Sequence, residues 1–544
     1  MEAARLRTNR AKFHQYTDFS FWGFIKMKKL MTLILAAGLF FAGTVPSANA
    51  IEFKAQGEWL MGFGAGDTSL INKARENGAR SKSKYNNDDK FSAMQRVRLQ
   101  LDAVASENLS GTVLFELLES TWGQAESGGA LGGDGQIVGV LNAYIDWAVP
   151  NTDLKVRMGL QPIEMPNVAG GSSILNTDAL AAVTVNYQFN ENVGATLMWG
   201  RPYNDNYSSW GTTHSNDKGN YLDNLDLIAL SVPITFDGIE VTPWVMYGIV
   251  GQNVGRAGTV EEDEFGNPYL SEYVGPTDLF SSPDVSTANR RQANTSAFWA
   301  GLPIKLSLWD PLNIEVDLNY GYVQSIGRYD IQNQRTKDWK RADSKREGWL
   351  AKALIEYKMD WGTPGIFGWY ASGDDSNVKN GSERLPAIEA KGNFTSMMGD
   401  DNFGWASNSC LYDSTLNYAG TWGIGLQLKE MSFLEDLTHT FRVAYWGGTN
   451  SPEMAKYAND PTAWNNQGDY AISDGLYLTR NDGLLEFNLI NSYQMYENFE
   501  INLELGYMVN FFDQDTWKKA GQTTYSAYEK QDAWKAQLIF AYTF

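Results

Sequence analysis

Two runs of cationic side chains spaced two residues apart carry the most informative chemistry in the sequence. Arg96 and Arg98 alternate with apolar residues in RVRLQLDA, and Lys155 and Arg157 do the same in LKVRMGLQ, where Gln161 continues the polar register. Side chains two residues apart on a β-strand lie on the same face. Each run therefore predicts a strand that has one charged face and one apolar face.

Carboxylates occur where they could face these cations. The candidates are Asp102, Glu116, Asp146, Glu164 and Asp178. The last two lie near the ends of IEMPNVAGGSSILNTDA, a segment whose adjacent glycines suit a chain that must bend and pack inside an enclosed space. Basic side chains facing an acidic loop would produce a transverse electric field, and charged rings of this kind select solutes in pores. The alternative is that the cations pair with neighbouring carboxylates and only stiffen the wall.

Enzyme chemistry has little material in this chain. It has three histidines and one cysteine, Cys410, so that thiolate clusters, histidine-based metal sites and an intramolecular disulfide are not expected. The motifs G-x-S-x-G, G-x-x-x-x-G-K-[ST] and H-E-x-x-H do not occur. We therefore expect no catalytic activity, no cofactor and no metal. The formal charge of -20 also argues against a nucleic-acid partner, because phosphate binding needs a basic surface.

The N-terminal region has the layout of an export signal. Met27-Lys28-Lys29 precedes the apolar stretch LMTLILAAGLFFAGTV, and Ala48-Asn49-Ala50 supplies a typical cleavage site. We expect 27–50 to be a cleaved signal peptide, 1–26 to be an upstream extension that a misassigned start site would explain, and 51–544 to form a single exported domain. An uncleaved membrane anchor is the alternative, although the apolar stretch is shorter than the roughly 20 residues that span a bilayer as a helix.

The period of two continues through the rest of the chain, as in EFKAQGEWLMGF and NFEINLELGYMVNFF. Short turns alternate with long segments rich in Gly, Asn, Asp and Ser, which is typical of an up-and-down antiparallel meander. Counting eight short hairpins plus a first and a last strand gives 18 strands, with 16 as the alternative count. The sequence thus predicts an all-β transmembrane barrel with long extracellular loops, wide enough to enclose water.

Aromatic residues fall into two groups about one strand length apart. The group near the short turns comprises Trp147, Phe189, Phe236, Trp309, Trp361, Phe433, Tyr496 and Phe499. The group near the long loops comprises Trp199, Tyr320, Tyr322, Trp369, Tyr445, Trp446 and Phe511. Two aromatic girdles mark the lipid–water interfaces of a membrane-spanning barrel. The alternative is a soluble β-sandwich or propeller, in which strands alternate with the same period.

The sequence ends inside a predicted strand, KAQLIFAYTF. An open sheet edge in lipid would leave backbone groups without hydrogen-bond partners, so the last strand must pair with the first. We expect Tyr542 and Phe544 to lie in the girdle at the short-turn end, close to the beginning of the first strand at Ile51.

Several stretches resemble the outer-membrane homotrimeric porins of anaerobic sulfate-reducing bacteria. They are RVRLQLDAVASENLSGTVLFELLESTWG, AYIDW with VRMGLQ, DWGTPGIFGWYASGDD, MSFLEDLTHTFRVAYWGGTN and YENFEINLELGYM. The resemblance runs from the signal peptide to Phe544. It implies a trimeric outer-membrane channel for small hydrophilic solutes and a terminal Phe that the barrel assembly machinery recognises. It supplies no set of selectivity residues.

We therefore expect passive diffusion of small hydrophilic solutes and ions through a charged constriction in the outer membrane. The expected pore-lining set is Arg96, Arg98, Lys155, Arg157, Gln161, Asp102, Glu116, Asp146, Glu164 and Asp178. One alternative is a substrate-specific channel with a saturable site for a sugar or an inorganic anion. Its loop tryptophans would stack on solutes, the candidates being Trp210, Trp405, Trp464 and Trp517. A further alternative is a structural or adhesive surface protein with a plugged barrel.

Overall fold

The computed structural model describes residues 51–67, 70–72, 90–124, 129–131, 138–204, 224–251, 254, 260–262, 268–270, 279–281, 294–390, 394–395, 418–458, 476–520 and 529–544. The predicted signal peptide and upstream extension lie outside these residues, as do Trp210, Trp405 and Trp464. No helix in the described ranges is long and apolar enough to cross a membrane.

The strands form one closed antiparallel barrel of 18 strands, which confirms the predicted fold and count. In chain order they are β1 (Glu52–Asp67), β2 (Lys90–Ser106), β3 (Leu109–Thr121), β4 (Gly139–Ala148), β5 (Leu154–Glu164), β6 (Asn176–Gln188), β7 (Gly194–Tyr203), β8 (Leu225–Ser231 and Ile234–Phe236), β9 (Ile239–Val241 and Trp244–Gly251), β10 (Asn294–Trp309), β11 (Leu312–Val323), β12 (Arg346–Tyr357), β13 (Thr363–Ala371), β14 (Thr421–Leu434), β15 (Leu437–Gly448), β16 (Gly483–Tyr496), β17 (Phe499–Asn510) and β18 (Ala533–Thr543). β8 and β9 are interrupted next to Pro233 and Pro243, because proline has no backbone N–H to donate to the ladder.

The connections are alternately short and long, as the sequence predicts for a meander. The long connections contain a 3-10 helix, Pro452–Lys456, and the helix α1, Gln514–Lys519. They also contain two-stranded ladders that pair Ile71–Asn72 with Glu529–Lys530, Val260–Glu262 with Pro268–Leu270, and Arg328–Gln332 with Trp339–Asp343.

The last strand closes the barrel against the first. β18 and β1 are antiparallel, with Glu58 opposite Thr543. Phe544 exchanges two backbone hydrogen bonds with Gly57, at 2.9 and 3.1 Å, and its ring occupies the space that a Cβ on Gly57 would need. Tyr542 stacks on Phe544 with 5.8 Å between ring centroids. The predicted closure is confirmed, although the neighbour of the terminal residue is Gly57, because β1 extends past the end of β18.

Alternation sorts side chains between an outer and an inner surface. On β12, Trp349 and Ile355 are exposed, whereas Leu350, Lys352 and Glu356 are buried. The outer surface carries exposed apolar residues on many strands, among them Leu197, Ile228, Leu230, Val245, Leu318, Ile366, Leu426, Leu503 and Leu505. A continuous apolar belt is unusual on a water-soluble protein and is the surface that a barrel presents to lipid.

Most of the predicted girdle residues are exposed on this outer surface. They include Trp147, Phe189, Phe236, Trp309, Trp361, Phe433 and Tyr496 near the short turns, and Trp199, Tyr320 and Phe511 near the long connections. The prediction was wrong for Trp369 and Trp446, which point inward and are buried. Trp369 shares the inner face with Phe367, whereas the neighbouring Tyr370 takes the outward position and stacks on Trp349 at 5.4 Å.

The long connections fill part of the barrel interior. Phe394, from the connection between β13 and β14, stacks on Phe367 with 4.7 Å between ring centroids. The ring centroids of Trp369 and Trp446 lie 4.2 Å apart in the same cluster. Buried residues from 163–175, 476–478 and 512–520 belong to this core. A hydrophobic core therefore lies inside the barrel, toward the end that carries the long connections.

Candidate pore and constriction

Arg98 lies on the inner face of β2 and joins two of the predicted carboxylates. Its guanidinium donates to Glu116 at 2.9 Å and to Asp178 at 3.1 Å. Glu116 is on the adjacent strand β3, whereas Asp178 is near the beginning of β6. One cation thus links the barrel wall to the end of the segment that the sequence analysis singled out.

Arg157 and Asp146 form the second predicted ion pair. The guanidinium donates to both carboxylate oxygens, at 2.7 and 3.0 Å, and lies 4.2 Å from the centre of the Tyr144 ring. The two side chains remain 35% and 38% exposed. A planar guanidinium matches a carboxylate with two parallel hydrogen bonds, so the pair is well oriented while it still faces water.

The remaining charged residues of the predicted set differ in their surroundings. Arg96 is buried and pairs at 3.2 Å with Glu58, a carboxylate of β1 that the sequence analysis did not select. Lys155 is exposed and forms no ion pair with any residue in the described part of the chain. Asp102 accepts a hydrogen bond from Thr112 at 2.6 Å. The cations therefore range from fully paired to unpaired.

Gln161 and Glu164 occupy the end of β5, where the chain leaves the wall. The Gln161 amide is buried and donates to the carbonyl of Ala182 at 2.8 Å, which ties β5 to β6. Glu164 accepts hydrogen bonds from Asn167 at 2.7 Å and Asn176 at 3.3 Å. Glu164 therefore holds the two ends of the following segment together.

A cavity of about 680 Å³ lies along the inner face of this part of the barrel. Half of the predicted set lines it, namely Asp146, Lys155, Arg157, Gln161 and Glu164. A second cavity of about 310 Å³ shares Ile163, Glu164, Thr184 and Thr196 with the first. The other five predicted residues, on β2, β3 and β6, lie outside this lining. Together the cavities run from the charged lining at the short-turn end to a more apolar lining, with Met165, Met198 and Ala229, at the base of the hydrophobic core.

Residues 165–175, called the crossing loop below, leave β5 and span the barrel interior. Gly170 and Gly171 have φ of +68° and +77°, in the left-handed region that glycine adopts without strain. The carbonyl of Gly170 accepts a hydrogen bond from Tyr418 at 3.0 Å, and the carbonyl of Gly171 accepts one from Nζ of Lys352. Lys352 belongs to β12, across the ring from β5. The predicted inward packing of this loop is confirmed.

Three residues at the end of the crossing were missed by the sequence analysis. Lys352 and Asp317 form an ion pair of 3.1 Å on adjacent strands, and both side chains are 0% exposed. Lys352 and Asp317 each occupy a polar position in the alternation of their strands, so the sequence alone could have identified both as inward-facing residues. The contacts of Lys352 and Tyr418 with the crossing loop join residues about 180 or more positions apart and have no local signature.

Carboxylates also gather outside the barrel strands, in the connection between β13 and β14. Asp374 accepts hydrogen bonds from Tyr477 at 2.7 Å and Ser382 at 2.6 Å. Burial, together with the charges of Asp374 and Asp375, raises the pKa of Glu383 to about 7. Burial beside Asp374 also raises the pKa of Tyr477 well above its ordinary value. No group of side chains in the described ranges is arranged to hold a metal ion.

No protein-family model and no curated protein matches this sequence. Solved structures with a similar fold include Pseudomonas aeruginosa OccK9 (OpdG), with 10% identity and a TM-score of 0.48 over 91% of this chain and 98% of that chain. Acinetobacter baumannii OccAB1 has 11% identity and a TM-score of 0.46 over 92% and 99%. Pseudomonas aeruginosa OpdK, solved with vanillate, has 9% identity and a TM-score of 0.45 over 90% and 98%. Identities this low carry no information about which solutes this chain admits.

Proposed function

We propose that this protein is an outer-membrane porin through which small hydrophilic solutes and ions diffuse passively. The observation that carries the proposal is a closed barrel with an apolar outer belt and a polar, charged cavity on its inner face. Only helices and closed barrels satisfy all backbone groups in lipid. A barrel much wider than eight strands is not filled by its own side chains and leaves an aqueous interior.

The charged residues along the cavity give this channel its selectivity. Lys155 and Arg157 line the same space as Asp146 and Glu164, so a polar solute meets both signs of charge and replaces its lost water contacts. An apolar solute gains no such contacts and is excluded. Because arginine stays protonated at physiological pH, the field around Arg157 and Arg98 persists across that range. Arg98, Glu116 and Asp178 extend the same charged surface beside the crossing loop.

Conductance in planar lipid bilayers tests the proposal. We expect stepwise, ohmic openings from the folded protein, grouped in triplets if three barrels assemble as the sequence resemblance implies. A folded barrel that conducts no ions would contradict the proposed function. A reversal potential measured across a salt gradient then gives the sign of the selectivity.

A substrate-specific channel is the second candidate, because the crossing loop and the hydrophobic core narrow the interior to a side-chain-lined path. Solute would then bind in the cavity, and current would be blocked saturably by one class of solute, such as a sugar or an inorganic anion. Trp517 does not favour this alternative, since it is buried and donates to Asp482 at 3.1 Å. Current that falls in proportion to added solute, without saturation, supports simple diffusion.

Export by the predicted signal peptide, assembly as a homotrimer and recognition by the barrel assembly machinery complete the proposal. The terminal contact between Phe544 and Gly57 supports a role for the last residue in closing the barrel. Deleting Phe544 should lower the yield of folded protein far more than the conductance of the barrels that do form. A normal yield from the truncated chain would argue against this role.

A further inference from the structure

Two donors hold the tip of the crossing loop from the far wall, and they act on adjacent carbonyls. Nζ of Lys352 donates to Gly171, and the Tyr418 hydroxyl donates to Gly170 at 3.0 Å. The ammonium also lies 5.5 Å from the centre of the Tyr418 ring, a distance at which a cation is attracted to the face of an aromatic ring. The two donors therefore reinforce each other at one point of the loop.

The ammonium of Lys352 makes this contact from a fully buried position. Its charge is balanced by Asp317 at 3.1 Å, and the side chains of both residues are 0% exposed. A buried charge needs its hydrogen-bonding capacity satisfied as well as its charge balanced. The carbonyl of Gly171 supplies part of that requirement. If the loop tip moved away, the buried ammonium would lose a partner, so the position across the interior is favoured.

The other hydrogen bonds from the crossing loop to the described part of the barrel lie near its two ends, and the Phe394 ring packs against Gly170 at the tip. Glu164 binds Asn167 at one end and Asn176 at the other. Backbone hydrogen bonds of 2.8 to 3.1 Å join Ile174 and Asn176 to Ile388 and Glu389. The hydrogen bonds near the ends fix where the loop begins and ends, whereas Lys352 and Tyr418 donate the hydrogen bonds that hold its tip.

We propose that Lys352, supported by Asp317 and Tyr418, is a latch that keeps the crossing loop stretched over the interior and thereby sets the effective width of the channel. The width has a consequence only if solutes pass, so this inference rests on the proposed function. Lys352 is a positioning residue, because it is buried behind the loop and acts on solutes through the loop tip. Releasing the latch removes both hydrogen bonds that reach the tip from the far wall, so the tip opens more often while the ends stay anchored.

Paired substitutions release the latch without leaving a lone buried charge. Lys352→Met together with Asp317→Asn removes the donor and both charges at similar side-chain volume. Tyr418→Phe removes the second donor and leaves every charge in place. Hydrogen exchange of the detergent-solubilised, folded protein is measured on peptides that cover 165–175. We expect faster exchange in that segment for both variants, with the larger increase in the paired variant.

An ion pair between neighbouring parts of the same wall provides the control. Glu356, four residues along β12 from Lys352, lies 3.1 Å from Lys429 of β14, and neither residue has a contact with the crossing loop in the described part of the chain. The paired variant Lys429→Met with Glu356→Gln should leave exchange in 165–175 unchanged. Lys352→Arg keeps a cation and hydrogen-bond donors at this position, so it should retain most of the wild-type protection against hydrogen exchange in 165–175. Unchanged exchange in 165–175 for both the paired latch variant and Tyr418→Phe overturns the latch. If the paired variant does not fold, Tyr418→Phe decides alone.

Channel width is measured on the same proteins. We expect a higher single-channel conductance, and a severalfold faster entry of neutral polymers that the wild-type channel excludes, only in the variants that speed up exchange. Faster exchange with unchanged polymer exclusion would overturn the link between the latch and the width. A wild-type barrel that does not conduct would instead contradict the proposed function, while the exchange experiment would still decide whether Lys352 holds the loop.

Discussion

Ion pairs on the two sides of the barrel interior have the same chemistry and different surroundings. On the cavity wall, formed by the inner faces of β2–β7, Arg157 and Asp146 are 35% and 38% exposed. On the buried wall, formed by the inner faces of β11–β18, Lys352 and Asp317 are both 0% exposed. Alternation alone places all four side chains inside the barrel. The two walls differ in solvent exposure because the long connections pack over the inner side chains of the buried wall.

The buried wall is a dense network. Glu356 accepts hydrogen bonds from Gln427 at 2.7 Å and Lys429 at 3.1 Å, and Glu486 accepts one from Trp446 at 3.1 Å. Exposed ion pairs contribute about 0–1 kcal/mol to stability, because water and salt screen them. Breaking a buried pair costs about 3–5 kcal/mol, because the remaining charge has no solvent. The buried wall therefore fixes the architecture, and the cavity wall is free to interact with solutes.

The largest expected effect is a difference in the stability lost when one cation is removed from each wall. Lys352→Met alone leaves the Asp317 carboxylate buried without its cation and should lower the free energy of unfolding by about 3–5 kcal/mol. Arg157→Met removes an exposed cation and should cost less than about 1 kcal/mol. Urea unfolding of both variants in lipid vesicles measures the difference. Equal losses would mean that the two walls do not differ in the way their exposure indicates.

The next effect separates the walls by ion selectivity. Replacing Arg96, Arg98 and Arg157 together with alanine should shift the reversal potential toward cations, because three positive charges leave the cavity side of the barrel. With one cation removed from each wall, Arg157→Ala should shift it measurably, whereas Lys535→Met, whose side chain is 3% exposed on the buried wall, should shift it much less. Since Arg96 is itself buried beside Glu58, the double variant Arg98→Ala with Arg157→Ala serves as the more stable form of the test. An unchanged reversal potential in both would show that the pairs only stiffen the wall.

The sequence predicted the barrel well because a closed barrel with an apolar outer surface imposes a simple rule on its strands. Every crossing strand must present apolar residues outward, so the period of two survives in the sequence and gives 18 strands and the closure at Phe544. The same rule predicted Arg98, Arg157 and Asp146 as inner residues. Trp369 and Trp446 were placed wrongly, because aromatic type was given more weight than their position in the alternation.

The covering of the interior could not be predicted in the same way. Whether an inner charge faces water or protein depends on loops that return from distant parts of the chain, as Gly171 meets Lys352. Contacts between such distant residues leave no periodic pattern or fixed spacing in the sequence. The sequence therefore identified the cavity wall as polar, but it did not distinguish that wall from the buried one.

A smaller effect concerns the cation of the cavity wall that has no carboxylate partner in the described residues. Lys155→Gln removes one charge and no ion pair, so stability should change by less than about 0.5 kcal/mol. The reversal potential should still move toward cations, by less than in the triple variant. Lys155→Arg, which keeps the charge, is the control and should conduct like the wild type. A loss of stability as large as that of Lys352→Met would place Lys155 in a buried network.

The smallest effect is a pH dependence in a third setting, the half-buried carboxylate Glu383 at the long-loop end. Burial, with Asp374 and Asp375 nearby, raises its pKa from 4.5 to about 7. Between those values the folded state binds more protons than the unfolded state, so this group's contribution to stability is full below about pH 4.5 and is lost as the pH rises through about 7. Glu383→Gln should remove that part of the pH dependence of unfolding. Because Glu383 is only partly buried, the slope of stability against pH that Glu383→Gln removes should be shallow. A steep slope from Glu383 would mean that the loops at the mouth are packed as tightly as the buried wall.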